Sequence, residues 1–435
     1  MWYKDSIFYQ IYPFGFCGAP VTNDSIQTNR IDKVIEWIPH MQSIGINALY
    51  FCPVFESSSH GYDTKDFSKI DCRLGSNDDF AKVCNELHNA TIRVVLDAVF
   101  NHVGREFFAF RDVQEKREES IYKDWFYINF NRDSNYHDGF YYEGWEGHYN
   151  LVRLNLDNPF VVEYLFSSIQ GWVNEFNIDG LRLDVAYMLS EDFLRKLRKF
   201  CDSLKPNFFL IGEIIHGDYH RIVDKDMLDS CTNYECFKGI YSSINDRNMF
   251  EIAYSLNRQF GSGDWTLYKG LALFNFVDNH DVTRLASNLK EPQNIMNAYS
   301  LLFTMPGIPC IFYGSEWGVK GEKMQGSDAT LRPYFQTPIT NPTTNWIAKL
   351  SSLKKQYQAF TSGSYHQLYL TNQQFVFERR HDLQSIIVAI NIDSATHFAT
   401  IPMHGKQLDL LTGEIVYSNG TIEIPAFCTK IYMQQ

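Results

Sequence analysis

Asp184, Glu213 and Asp281 each follow a short apolar run. The runs are Gly180-Leu181-Arg182-Leu183-Asp184, Phe208-Phe209-Leu210-Ile211-Gly212-Glu213 and Phe274-Asn275-Phe276-Val277-Asp278-Asn279-His280-Asp281. Such a run suits a buried parallel strand, and a carboxylate just past its carboxyl end sits where α/β barrels do chemistry. Acids from three different strands imply one shared site. Neighbouring parallel strands lie about 4.7–4.9 Å apart, so Asp184 and Glu213, ending consecutive strands, can come close. Two carboxyl groups about 5–5.5 Å apart are the arrangement of retaining glycoside cleavage, and about 6.5–9.5 Å that of inverting cleavage. Arg182 shares a strand face with Asp184, and a fixed guanidinium keeps a carboxylate ionised, as a nucleophile requires. The apolar neighbours of Glu213 would raise its pKa, as a general acid requires. Taken singly, each acid also reads as an ordinary polar cap on a strand.

Eight candidate strands position these groups: Ile7–Phe14, Ala48–Val54, Arg93–Phe100, Gly180–Val185, Phe208–Ile214, Ser230–Tyr234, Leu271–Val277 and Pro309–Gly314. Amphipathic helical patterns lie between them, at Ile31–Ile44, Asp78–Ala90, Pro159–Phe176, Ser190–Leu204 and Pro292–Thr304. That alternation and count predict a closed (β/α)8 TIM barrel, of class α/β. Residues 103–155, after the third strand, form an aromatic and charged insertion without clear periodicity, and an insertion of that length is usually functional. Residues 359–435 turn to short alternating strands and read as a C-terminal antiparallel β-sandwich domain. The barrel then comprises 1–102 and 156–358, with 103–155 as an inserted domain B.

A net charge of −12 argues against a nucleic-acid partner or an anionic membrane surface, both of which need clustered Lys and Arg. No uninterrupted apolar stretch is long enough to span a bilayer, and the first residues lack the pattern of a secretory signal. The nine cysteines are scattered without a zinc-type pair, as free thiols of a reducing compartment would be. A cytoplasmic location is expected.

Taken together, four ordered segments resemble the α-amylase family, glycoside hydrolase family 13. They are Asp97-Ala98-Val99-Phe100-Asn101-His102, Gly180-Leu181-Arg182-Leu183-Asp184, Gly212-Glu213 and Phe276-Val277-Asp278-Asn279-His280-Asp281. Gly45-Ile46-Asn47-Ala48-Leu49-Tyr50 with Pro53-Val54, Gly61-Tyr62-Asp63, and Gly307-Ile308-Pro309 with Tyr313-Gly314 extend the likeness from the first strand to the eighth. The resemblance implies that Asp184 is the nucleophile, Glu213 the acid/base and Asp281 the carboxylate that stabilises an oxocarbenium-like transition state. It implies that His102 and His280 hydrogen-bond the sugar, that Arg182 is the family's invariant arginine, and that Tyr62 stacks beneath the ring, with Asp63 in support. Asp328 and Arg332 match a further sugar-gripping pair.

Glu213-Ile214-Ile215-His216 and His60-Gly61-Tyr62-Asp63-Thr64 are similar to stretches of the neopullulanase, cyclomaltodextrinase and maltogenic amylase group. Those enzymes carry an extra N-terminal domain, which this sequence is expected to lack. Leu151-Val152-Arg153-Leu154-Asn155 departs from that group, and Val185-Ala186-Tyr187-Met188 replaces a stretch that elsewhere helps bind a structural calcium. No required cofactor or metal is expected. The expected activity is hydrolysis of α-1,4-glucosidic bonds in maltooligosaccharides, cyclodextrins or starch-derived glucans. A glucanosyltransferase or glucosyl isomerase on the same scaffold is the alternative. More remote is a non-catalytic carbohydrate-binding or transporter-accessory relative.

Overall fold

The computed structural model describes residues 1–434. Eight parallel strands run through its centre: β1 (Phe8–Ile11), β2 (Ala48–Phe51), β3 (Arg93–Ala98), β4 (Gly180–Leu183), β5 (Phe209–Gly212), β6 (Ser230–Cys231), β7 (Phe274–Asn275) and β8 (Ile308–Phe312). Neighbours in space follow chain order, and β1 pairs with β8. A parallel bridge between Thr232 and Phe274, with Asn233 N–H donating to Phe274 C=O at 2.8 Å, closes the ring between β6 and β7. The strands form because Val, Leu, Ile and Phe are buried on both faces, towards the barrel interior and towards the helices.

All eight strands end at different residues than the sequence expectation gave, and two of the differences have a clear local cause. The first strand stops at Ile11 because Pro13 starts a helical turn, Pro13–Phe16. The sixth stops at Cys231: Asn233 caps the next helix, its side chain accepting from Cys236 N–H, so Tyr234 is helical rather than extended. The seventh spans only Phe274–Asn275 of the expected Leu271–Val277, and the loop after it carries His280 and Asp281.

The outer layer holds helices Lys33–Ser43, Asn77–Asn89, Pro159–Phe176, Glu191–Leu204, Tyr234–Asn245, Phe250–Phe260, Ile295–Thr304 and Pro342–Gln356. Glu191–Leu204 shows why such segments form. The Ser190 side chain accepts from Phe193 N–H, Glu191 and Asp192 occupy the positive first turn, and Phe193, Leu194, Leu197 and Cys201 are buried along one face. The connection from β5 to β6 carries only the short 3-10 turn Tyr219–Arg221.

The insertion after β3 is built of pieces too short for a periodic signal. Strand His148–Arg153 pairs antiparallel with both His102–Gly104 and Gly144–Trp145, beside helix Phe108–Lys116. The C-terminal strands are β9 (Ser364–Leu370), β10 (Gln374–His381), β11 (Gln384–Asn391), β12 (His397–Asp409), β13 (Ile415–Ile424) and β14 (Cys428–Gln434). They make one continuous antiparallel sheet of six strands, in the order β9-β10-β11-β14-β12-β13, rather than two separately bonded sheets. Its register breaks between Thr400 and His404 within the long β12, so one strand can serve both halves. Along β10 the faces alternate: Phe375 and Phe377 join the main core, while Val376 packs with Ile387, Ile401 and Ile422 in a second one. Among the described residues no helix is long and apolar enough to cross a membrane.

Candidate active site

Asp184 and Glu213 lie one residue beyond the paired ends Leu183 and Gly212 of β4 and β5. Both are buried, and one guanidinium holds both. Arg182 Nη1 is 2.8 Å from Asp184 Oδ1, and Nη2 is 2.9 Å from Glu213 Oε1. The two nitrogens of one fork cannot hold carboxylates far apart, which fits the short spacing of a retaining pair. Nη1 also donates to both oxygens of Asp97, at 2.8 and 3.0 Å. Asp97 in turn accepts from Tyr50 and Tyr62 hydroxyls at 2.9 and 3.2 Å, which fixes the arginine from below.

This geometry alters the expected division between the two acids. Arg182 does not select Asp184. Burial pushes the Asp184 carboxyl well above its ordinary range, Arg182 opposes that, and Glu213 and Asp97 add to it. Glu213 does not stand in an apolar surround, because its sequence neighbours are not its neighbours in space. Its Oε1 meets Arg182 and its Oε2 accepts from Val185 N–H at 2.9 Å. Val185 is a β-branched residue held at φ 41°, ψ 46°, in the left-handed region, and that costly turn aims its N–H at Glu213. Gly212 is required beside it: a Cβ there would stand 2.6 Å from Leu228 Cδ1 and 2.9 Å from Ala186 Cβ.

A second cluster comes from the loop after β7. His280 Nε2 is 2.9 Å from Asp281 Oδ2, and Arg332 Nη2 bridges Asp281 Oδ1 at 3.0 Å and Asp328 Oδ2 at 2.9 Å. Arg332 Nε donates to the His280 carbonyl at 3.0 Å, and Lys323 Nζ is 2.6 Å from Asp328 Oδ1. Burial alone would raise the Asp281 carboxyl, but His280 and Arg332 outweigh it and hold it well below the usual range. Burial likewise opposes charge on His280, yet Asp281 brings its pKa up to about 10. Asp281 keeps 35% of its side chain exposed, so it can meet a ligand.

His102 sits between these groups. Asn101 Nδ2 lies 3.2 Å from its Nδ1, which leaves the proton on Nε2 of the neutral ring. Burial pushes its pKa down to about 3, so the ring is neutral at working pH. Nε2 is 3.9 Å from Asp184 Oδ2 and is a buried polar atom without a partner, which is a donor free for a ligand hydroxyl. The Tyr62 hydroxyl hydrogen-bonds His280 Nε2, and its ring runs within 8° of parallel to the imidazole. Asp63 is buried and accepts from Ser59 Oγ at 2.6 Å. Thus Tyr62, His102, Arg182, Asp184, Glu213, His280, Asp281, Asp328 and Arg332 converge on one mouth of the barrel. Sequence reasoning missed Gln10 and Tyr50, and gave Asp97 no role; a polar residue inside an otherwise apolar barrel strand was the available signal. The cavity beneath the acids is lined by Gln10, Tyr50, Arg182, Glu213, Asn279 and His280.

Residues 10–344 match the family model described as alpha amylase, catalytic domain. The chain belongs to the alpha-amylase family. This family member is 32% identical over 425 residues to a cyclomaltodextrinase of a Bacillus species, across 91% of this chain and 74% of that one. It is 33% identical over 347 residues to a maltogenic alpha-amylase of Bacillus acidopullulyticus, across 75% of this chain and 58% of the relative. A solved cyclomaltodextrinase structure superimposes with a TM-score of 0.89 at 28% identity, covering all of this chain and 78% of the other. The protein is accordingly a glycoside hydrolase of the alpha-amylase family.

Among the described residues, Glu56, Asp71 and Cys72 form a group of potential metal ligands. Their lone pairs are largely taken. Asp71 meets Arg73 at 2.7 Å and accepts from Ser57, and Glu56 accepts from Asn23 and from Cys72 N–H at 2.8 Å each.

Proposed function

We propose that the protein cleaves α-1,4-glucosidic bonds of maltooligosaccharides, cyclodextrins or starch-derived glucans with net retention. The observation that carries the reading is the Arg182 fork, which sets Asp184 and Glu213 side by side. In the first step an Asp184 oxygen forms a bond to the anomeric carbon as the glycosidic C–O bond breaks. Glu213 delivers its proton to the leaving oxygen. In the second step Glu213 takes a proton from water, whose oxygen bonds the anomeric carbon while the Asp184 ester bond breaks. His102 Nε2–H and the Asp281–Arg332–Asp328 cluster supply donors and acceptors for hydroxyls of the sugar held over the pair. Tyr62 offers the face beneath it.

The names of the relatives support maltodextrin-type substrates over other glycosides. The free cysteines, seven of them buried, support a reducing compartment. Products from maltotriose, pullulan, a cyclodextrin and starch, with the first anomer followed by NMR, test the reading. Shorter α-anomeric products with net reducing ends are expected. A β-anomer overturns retention, and chain lengthening without new reducing ends turns the assignment to glucanosyl transfer. We also infer that no calcium ion is needed, supported by the internal partners of Glu56 and Asp71. Chelation with EDTA should leave the melting temperature within about 1 °C, an amount worth about 1 kcal/mol for a chain of this length; a large fall contradicts the inference.

A further inference from the structure

Gln10 is buried on β1, at a register position opposite Tyr50 of β2 and Phe312 of β8. Phe8 and Gln10 point into the barrel, where both line the cavity under the acids. The Gln10 side chain reaches across it, its amide nitrogen 2.8 Å from His280 Nδ1 and 3.2 Å from Cys52 Sγ. His280 therefore has both ring nitrogens engaged, with Nε2 on Asp281 and Tyr62 and Nδ1 on Gln10. The hydrogen bond at one imidazole nitrogen decides the state of the other. A ring ion-paired with Asp281 carries a proton on both nitrogens, so its Nδ1–H calls for the amide oxygen, while the Cys52 thiol, a weak donor and a weak acceptor, suits either end. The two ends of an amide occupy the same positions when it turns over.

We propose that Gln10 is a positioning residue for the third carboxylate: its amide accepts from His280 Nδ1–H and so keeps the protonated ring's Nε2 edge on Asp281 and Tyr62. The groups facing His280 support that state. Asp281 and, through Tyr62, Asp97 are its acidic neighbours, while Arg332 contacts its carbonyl and Arg182 lies across the cavity. Phe312 closes the remaining side edge-on at 6.5 Å. Without the amide, the buried Nδ1–H is left with only the weak sulfur acceptor of Cys52, the ring loses its proton more readily, and Asp281 keeps Arg332 as its one cation.

The inference rests on His280 and Asp281 belonging to the reacting site, so Asp281→Asn is assayed beside the test variants. Gln10→Met keeps the volume and removes the acceptor. Turnover of maltotriose should fall about tenfold, the scale of losing an outer hydrogen-bond partner of a functional histidine. The His280 titration, followed by 15N NMR of histidine-labelled protein and assigned with His280→Asn, should move down by roughly one pH unit or more. Gln10→Glu supplies an acceptor again and should restore the high midpoint. An unmoved midpoint in Gln10→Met overturns the inference, whatever happens to turnover. So does a loss of turnover that follows a lowered melting temperature with the midpoint unchanged. If Gln10→Glu does not fold, the Gln10→Met midpoint decides alone. Near-normal turnover in Asp281→Asn instead removes the site reading on which the inference stands.

Discussion

The two halves of the site solve opposite electrostatic problems. Around Arg182, one cation faces three carboxylates, Asp97, Asp184 and Glu213, all buried at strand ends. Around Asp281, His280, Arg332 and Lys323 face only Asp281 and Asp328, on loops and partly open to water. In the acid-rich half, burial and the neighbouring carboxylates push the Asp184 carboxyl up against the pull of Arg182. In the cation-rich half His280 and Arg332 hold the Asp281 carboxyl well below its usual range, as a carboxylate facing a positive transition state would need. The two halves thus differ in the balance of charge around their carboxylates.

The largest effect should come from separating the two acids that share Arg182. Glu213→Gln should lower kcat on maltotriose about 10²–10⁴-fold, the range for a lost general acid. It should slow formation of the glycosyl-enzyme much less from an aryl α-maltoside whose phenolate leaves without protonation. Asp184→Asn should lose both substrates, on the order of 10⁴-fold or more, because no nucleophile remains. Burst-phase release of the phenol distinguishes the two. Equal losses on both substrates in Glu213→Gln would remove it from the acid role, even with Asp184 still essential.

The same two halves differ in how much of them could be read before the fold was known. Strand cores were legible because buried parallel strands are continuous apolar runs, and Asp184 and Glu213 stand one residue past them. The motif order supplied His102, His280 and Asp281. The surroundings of Glu213 were not legible. Phe208 to Ile215 suggested an apolar pocket, yet the contacts that matter come from Arg182 on the neighbouring strand and from the strained Val185 backbone. Asp328 and Arg332 were visible only as a spacing, since their partner Asp281 is far away in sequence. Gln10 gave no local signal beyond being polar within an apolar strand. The insertion was equally silent, its strands being too short to show a period. In each case the deciding neighbour is brought in by barrel closure, which local pattern does not encode.

A smaller and sharper test uses stability against pH, where the halves should respond with opposite signs. The Asp184 carboxyl is raised above its ordinary value of 3.8, so the folded state binds a proton that the unfolded state has released. Its contribution to stability therefore falls as pH rises above that value. Asp184→Asn removes this penalty and should melt higher than the parent at neutral pH, with the gain shrinking towards pH 3.8. Asp281 is depressed instead, and its stabilisation is present above 3.8 and lost only on strong acidification. His280 is raised from 6.5 to about 10, so its share is complete below 6.5 and disappears as pH climbs to about 10. Asp281→Asn should therefore melt lower than the parent, most of all between 3.8 and 6.5, with the deficit closing towards pH 10. Calorimetric melting of both variants across pH 4–10 measures the two curves. Curves of the same sign would show that one field governs all three carboxylates, and that the site is a single electrostatic unit rather than two.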